Sequence, residues 1–308
     1  GTVALQAIEE LSRQREQGVM LVGLSTSIRE MDLQTGGLGA GELMLLAARP
    51  AMGKTSMMLW MAKNMAGSGK RVGIISLEMS KKQLVQRLMS AVSGVNSLLM
   101  RQPAALNDEE MTRLEQAAEQ LTELPVSIED SPGQTILQIR STAREMAVKG
   151  LDVLWVDYLG LAKSTNTDQR HDLQIADISA GLKALAKELE IPVVALCQLS
   201  RSVETRGGDK RPLLSDLRNS GSLEQDADQV YFLYRPEYYQ ILEDEQGNSL
   251  KGCTELIPGK NRHGEMKTVR LRMNPATSDF EPFDKALVFD LSPPKITPRM
   301  NNDEDIPF

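Results

Sequence analysis

Residues Ala48-Arg49-Pro50-Ala51-Met52-Gly53-Lys54-Thr55 carry more information than any other part of this chain. An apolar run, Glu42-Leu43-Met44-Leu45-Leu46-Ala47, precedes them, and a helix-like run from Ser56 to Ala66 follows. Strand, Gly/Pro turn, Gly-Lys-Thr and helix in that order form the P-loop pattern. Backbone N–H groups of such a loop wrap phosphates, and the helix N-terminus adds its positive dipole end. The expected cradle is therefore Ala48, Arg49, Pro50, Ala51, Met52, Gly53, Lys54, Thr55 and Ser56. Lys54 would reach the β- and γ-phosphates, and the Thr55 hydroxyl would bind Mg²⁺. Ala48 replaces the first glycine of the pattern, a mild departure because alanine is small. The alternative is a chance Gly-Lys-Thr in a surface turn, against which the flanking strand and helix both count.

Bulk properties narrow the class. The chain has 308 residues, 41% hydrophobic and 25% charged, the balance of a globular α/β domain with attachments or of two small domains. A net charge of -7 excludes nucleic-acid binding through the general surface, so any DNA contact must come from local basic loops in a confined groove or channel. Cys197 and Cys253 have no metal-ligand spacing and fit a reducing compartment. No run is long and apolar enough for a membrane span and no signal-peptide pattern is visible, so a cytoplasmic location is expected. Met57, Met58, Met61 and Met65 recur along the helix after the loop and read as adaptable core packing.

In chain order, Thr2 to Gln17 reads as an amphipathic helix with Leu5, Ile8 and Leu11 on one face, stopped by Gly18. Its stripe packs either on its own domain or on a neighbouring subunit. Lys70 to Glu78 is a buried strand ending in a carboxylate. Ser80 to Val92 is a helix with Ser80 as N-cap and Gln83 in a capping box. A helix over about Asn107 to Leu121, a short strand over Val126 to Asp130 and a helix over Thr135 to Val148 follow. Leu151 to Asp157 is a near-continuous apolar run, hence a central parallel strand. Its terminal Asp157 lies where α/β sheets place ligands, which makes it the candidate Mg²⁺ carboxylate opposite Thr55; capping of the next turn is the alternative. Asp172 to Glu190 is a helix, and Ile191 to Gln198 a buried strand ending in an amide.

From Leu199 to Asp228 little regular pattern is visible, and a loop this long and basic is usually functional or disordered. Val230 to Tyr234 resumes a strand. Cys253 to Ile257 and Met266 to Met273 form a hairpin with the basic tip Pro258-Gly259-Lys260-Asn261-Arg262-His263-Gly264. The fold class predicted is α/β: a mainly parallel twisted sheet with helices on both faces, plus a C-terminal β-hairpin and an N-terminal linker helix. The expected organisation is a linker helix over 1–22, an ATPase domain over 23–292, and a disordered acidic tail over 293–308. His171 and His263 match no ligand spacing and read as structural or solvated.

At this point the strings ARPAMGKTS, ISLEMS, VDYLGL, LKALAKELEIPVVALCQLSRSVE and KRPLLSDLRNSGSLEQDAD, with the Lys260 to Gly264 tip, carry a resemblance. The chain resembles the C-terminal RecA-like ATPase domain of the bacterial or phage replicative DNA helicase DnaB family, from about Leu24 to Asp290. The resemblance implies a hexameric, ATP-driven motor that moves 5′ to 3′ on single-stranded DNA and excludes the second strand. Glu78 is similar to the glutamate that polarises the attacking water, and Gln198 to a sensor of phosphate occupancy. Arg262 with Lys260 resembles an arginine finger presented to the next subunit's ATP, and Arg87 resembles a further arginine near the phosphates. Arg218, Asn219, Ser220 and Gly221 resemble a channel loop that grips the DNA backbone; Asn219 departs from the acidic residue usual there. Lys163 and Arg170 are a second candidate for the channel wall, with solvated surface charge as the alternative.

Resemblance also implies a primase and a helicase loader as partners, and makes Thr2 to Gln17 the linker helix that docks on a neighbour. Asp303 to Phe308 resembles the acidic tip of single-stranded DNA-binding protein, which would recruit the partners of that tip; an inert terminus is the alternative. A RecA-type recombinase, or a nucleotide-dependent loader or scaffold without catalysis, are the rival functions. The Lys260–Arg262 tip and the Ser215 to Gly221 string count against the first, and Glu78 with Arg262 against the second.

Overall fold

The protein was analysed as a computed structural model that describes residues 2–16, 21–164, 171–217, 221–262, 264 and 266–283. Arg170, Arg218, Asn219, Ser220, His263 and the tail over Asp303 to Phe308, all singled out above, lie outside the described residues.

Helix α1 (Thr2–Glu16) and the short α2 (Arg29–Thr35) lead into β1 (Leu43–Ala48). Alternation then sets in. The order is α3 (Lys54–Gly67), β2 (Val72–Ser76), α4 (Lys81–Ser93), α5 (Asp108–Glu123), β3 (Val126–Glu129), α6 (Ile136–Val148), β4 (Val153–Asp157), α7 (His171–Leu189) and β5 (Val193–Gln198). Two short helices, α8 (Ser202–Thr205) and α9 (Gly221–Asp226), lie before β6 (Gln229–Tyr234); β7 (Cys253–Asn261), β8 (Val269–Asn274) and β9 (Asp279–Pro282) close the described chain. The described strands form one sheet in the order β3-β2-β4-β5-β1-β6-β7-β8-β9. Pairing is parallel from β3 to β6 and antiparallel from β6 to β9.

Strands β1, β2, β4, β5 and β6 are buried along nearly their whole length and read as near-continuous apolar runs because both faces of this part of the sheet are covered. Along β1, Leu43, Leu45 and Ala47 pack on one side with α6 and α7, while Met44, Leu46 and Ala48 pack on the other with α3 and α4. Val153 and Trp155 of β4 join the α3 side, and Leu154 and Val156 the α7 side. Met57, Met58, Met61 and Met65 are all buried in the first of these cores, as their spacing predicts. On the other face α6 and α7 approach closely at Gly181, where a Cβ would collide with the Ile136 side chain.

Several boundaries follow local chemistry closely. Ser80 and Gln83 form the expected capping box, and Asn107 with Glu110 and Thr135 with Gln138 form two further ones. Other elements depart from the sequence reading. Helix α2 has no counterpart in it; its Asp32 is buried and accepts bonds from the Thr26 amide at 2.7 Å and the Thr26 hydroxyl at 2.6 Å. The described residues between Leu199 and Asp228 hold more regular structure than their composition suggests. They carry α8 and α9, an isolated antiparallel bridge between Leu199 and Leu217, and an ion pair between Arg206 and buried Asp216. The hairpin of β7 and β8 gains a third strand, β9. The apolar stripe of α1 is not buried on its own domain: Leu5, Ile8 and Leu11 are all exposed.

Cys197 and Cys253 are both buried and form no disulfide among the described residues. Among the described residues no helix is long and apolar enough to cross a membrane.

Trp155 is fully buried at the centre of the sheet. Trp155→Ala is expected to remove about 3–5 kcal/mol of stability, read as a lower urea midpoint at unchanged slope. A loss under about 1 kcal/mol would show that this face is not the core.

Candidate active site

The parallel strands deliver their C-terminal ends to one edge, the position at which open α/β sheets bind ligands. Ala48 ends β1 and pairs with Gln198 at the end of β5, and Ser76 of β2 pairs with Asp157 at the end of β4. The chain leaves β1 directly into the loop and enters α3 at Lys54. A cleft of about 560 Å³ opens there, lined by Arg49, Pro50, Ala51, Gly53, Lys54, Thr55, Ser56, Glu78, Arg87 and Gln198 of the predicted set.

Local backbone explains the loop. Ala48 is still in β1, level with Gln198, so nothing at this position requires a glycine. Ala51 and Gly53 both take positive φ, 65° and 92°. At Gly53 a Cβ would also approach the Met273 sulfur to 3.3 Å. Met52 does not face the cleft. Its side chain is buried in the core, and its amide donates to the Arg49 carbonyl at 3.4 Å across the turn. The Arg49 guanidinium is engaged by the segment after β5: Nε donates to Glu204 at 2.9 Å and Nη1 to the Leu199 carbonyl at 2.8 Å. The loop is thereby tied to the segment after Gln198.

Charges converge under the loop. The Thr55 hydroxyl donates to Asp157 Oδ2 at 2.8 Å. Asp157 Oδ1 is buried without a hydrogen-bond partner among the described residues. Lys54 Nζ lies 4.7 Å from the centroid of the Tyr158 ring. Burial pulls the Lys54 pKa down, against the opposing charges of Asp157 and Glu78. Burial likewise raises the Asp157 pKa, against Lys54 and the Thr55 bond. Burial therefore disfavours the charged form of each group, and the opposite charge of the other partly offsets this. Arg87 is also pulled down by burial, supported by Asp157 and Glu78 and opposed by Arg101. Glu78 stands exposed just beyond β2. The turn carrying it is held by Leu77 donating to the Asp157 carbonyl at 2.6 Å and by the Ser76 hydroxyl donating to the Met79 carbonyl at 2.8 Å.

A hydroxyl beside a carboxylate with an unpartnered oxygen suits a hard cation such as Mg²⁺. Among the described residues no three His, Cys, Asp or Glu side chains converge on one point, so a cage made only of such groups is absent. Mg²⁺ ordinarily takes one or two carboxylates and fills its shell with phosphates and water. Thr55 and Asp157 fit that pattern.

Some of the cleft escapes the sequence reading. Gln83 and Gln86 line it from α4 beside the predicted Arg87, with i, i+3 and i+4 spacing as the only signal. Ser97, Leu98, Met100 and Arg101 come from the segment between α4 and α5, which forms a 3₁₀ turn over Leu99–Arg101, and Met273 and Ser278 from β8 and the turn after it. No local pattern marks these. Conversely, the predicted Lys260 and Arg262 do not line the cleft. Both lie at the end of β7 against the residues that follow α9. Gly221 is the first residue of α9, and Lys163 pairs with Thr135 in an isolated bridge.

These features define a RecA-like nucleotide-binding α/β domain: a phosphate loop between β1 and α3, a carboxylate at the end of β4 and an amide at the end of β5. The chain belongs to the DnaB-like helicase C-terminal domain family, whose model matches residues 23–282. Curated relatives named replicative DNA helicase DnaB are 42% identical over 89% of this chain in Buchnera aphidicola (Acyrthosiphon pisum) and 39% identical over 89% in Rickettsia bellii. The chain spans 59% and 60% of the length of these relatives. Among solved structures, one of an ATPase domain superposes with a TM-score of 0.84 at 36% identity, covering 91% of this chain and 98% of that one. A DnaB-like replicative helicase, solved in a study of its interactions with primase, gives 0.81 at 36% identity, covering 89% of this chain and 65% of that one.

Asp157→Asn is expected to abolish the extra thermal stabilisation that Mg²⁺ adds to that of ATP alone. An undiminished Mg²⁺ increment would remove Asp157 from the metal.

Proposed function

We propose that this domain is the motor of a replicative DNA helicase, coupling ATP hydrolysis to movement on single-stranded DNA and to duplex unwinding. The observation that carries the reading is one cleft lined by Lys54, Thr55, an exposed Glu78 and Gln198, with Asp157 buried directly behind Thr55, all at one sheet edge. Lys54 neutralises the β- and γ-phosphates, with the loop from Ala48 to Ser56 around them and Arg87 alongside. Mg²⁺ held through Thr55 and Asp157 would spread the charge that develops on the phosphate oxygens. Glu78 takes a proton from the attacking water, and Gln198 registers the γ-phosphate. Lys260 and Arg262 act on the ATP of the next subunit in a ring, taken to be a hexamer. A finger of this kind is worth ~10³–10⁵ in rate.

The rest of the proposal follows from this frame. Arg218, Asn219, Ser220 and Gly221 contact the DNA backbone in the lumen and read no sequence. Opening a base-pair step costs on average ~1.4 kcal/mol of stacking, within reach of one ATP per step or two. Travel is 5′ to 3′. The exposed stripe of α1 supports residues 1–22 as a linker docking on a neighbour, with 23–292 as the ATPase domain and 293–308 as an acidic tail. Primase and a loader are proposed partners, Asp303 to Phe308 the candidate recruiter of proteins that bind single-stranded DNA-binding protein, and the cytoplasm the location.

Glu78→Gln should keep ATP affinity within a few-fold and cut turnover by about 10²–10⁴; retained turnover removes Glu78 from its role. Oligomers of Lys54→Ala or of Arg262→Ala alone should be nearly inactive, while mixed oligomers of the two should regain ATPase. No recovery at any mixing ratio would count against a finger acting between subunits.

A further inference from the structure

At the end of β7, Lys260 and Arg262 are both fastened to one short stretch of chain. The Lys260 ammonium donates to the Glu224 carbonyl, and to the Ala227 carbonyl at 2.8 Å. Arg262 Nη2 donates to the Gln225 carbonyl at 2.9 Å and Nη1 to Asp228 Oδ1 at 2.9 Å. The Arg262 amide adds a bond to the Asp228 carbonyl at 3.2 Å. These carbonyls belong to the last turn of α9 and the residues just after it, where backbone acceptors lack helical partners and cations are favoured.

Asp228 is the unusual member. Its side chain is 7% exposed. Its other oxygen, Oδ2, accepts from the Leu43 amide at 2.8 Å and from Lys183 Nζ at 2.6 Å. Lys183 also donates to the Gly41 carbonyl at 2.8 Å. Burial alone would raise the Asp228 pKa, but the bonds from Lys183 and Leu43 and the charges of Lys183 and Arg262 hold it below the ordinary carboxylate value. One buried carboxylate needs one cation, and Lys183, 17% exposed, already supplies it. Arg262 is a second cation on the same group and is itself 51% exposed. Its bonds to Asp228 and Gln225 engage two of the five N–H groups of a guanidinium.

We infer that Asp228, with the carbonyls that end α9, is the seat that holds Arg262 in position for the nucleotide of the neighbouring subunit. The inference rests on the reading of Arg262 as a trans-acting finger. A long arginine at a hairpin end otherwise samples many rotamers, and fixing its inner edge beforehand lowers the cost of engaging a phosphate with the rest. The seat has a second consequence. Asp228 also grips the first residue of β1, the strand that ends in the phosphate loop, and α9 begins at Gly221, the last residue of the proposed DNA loop. The finger and the subunit's own phosphate strand are therefore joined through one side chain, which lies two residues past the DNA-side helix. Asp228 is a positioning residue: it does not line the nucleotide cleft and acts through Arg262.

The test is a double-mutant comparison on the assembled oligomer, with ATP and single-stranded DNA present. Asp228→Asn keeps the shape and an acceptor for the Leu43 amide but loses the charge. It should lower kcat by about 10²-fold, the scale of a 1 Å misplacement of a reacting group, and leave ATP affinity within about twofold. On an Arg262→Ala background the same substitution should add nothing. Normal kcat in Asp228→Asn, or a double variant whose loss is the product of the two single losses, overturns the proposal. If Arg262→Ala alone turns over normally, the finger reading itself fails, a distinguishable result. Should Asp228→Asn fail to bind ATP, Asp228→Glu keeps the charge for Lys183 and shifts the guanidinium by one methylene. It reads the same split between kcat and affinity, and a normal kcat there again overturns the proposal.

Discussion

The pairing of β1 on both sides, with β5 and with β6, is the constraint from which the site follows. A fully buried strand must find backbone partners on each edge, because an unpaired amide in a dry core is costly. Parallel pairing with β5 and β6 meets that need, and it forces the C-terminal ends of neighbouring strands to one edge. Gln198 therefore lies level with Ala48, and β4 brings Asp157 to the same edge one strand further on. The loop to α3 has only Arg49 to Gly53 in which to reverse direction, which is why two of its residues hold positive φ. Confinement by the sheet, rather than any single contact, turns this loop into a phosphate cradle.

The same burial sets the electrostatics. Lys54 and Asp157 are each pushed toward the neutral form by loss of water, and the charge of each partly offsets that push on the other. Asp157 retains an oxygen that no described residue partners, although it is fully buried. Such local costs are usual where a protein is built to receive a charged ligand, and a phosphate with its cation would relieve both. The Arg49–Glu204 pair and the Asp228 cluster do related work at a distance. Each fastens a charged group of the cleft or of the hairpin to a segment far away in the chain.

Much of this is legible in the residues. The continuous apolar runs ending in Asp157 and Gln198 mark buried strands, and the capping residues Ser80, Asn107 and Thr135 mark helix starts. These signals are short-range, so they survive without knowledge of the fold. Helix α2 escapes such a reading because its seven residues complete too few turns for a periodic signal, and its Asp32 is polar yet buried. Helices α8 and α9 escape it for a related reason: they are short, and a glycine-rich, basic composition reads as loop. Strand β9 packs through Phe280 onto Trp60 of α3, with ring centroids 5.8 Å apart, a contact that no local pattern encodes.

The division between the two kinds of information is physical. Periodicity, capping and the Gly-Lys-Thr turn depend on neighbours within a few residues, so the amino-acid order alone established an alternating α/β chain with a phosphate loop. The company that loop keeps depends on sheet order. Arg101 and Met273 reach the cleft only because the chain folds back on itself there. Lys260 and Arg262 lie away from it because β7 pairs on the far side of β6. Pairing between strands distant in sequence is set by burial of the whole sheet, and that energy is shared among residues that no local window contains.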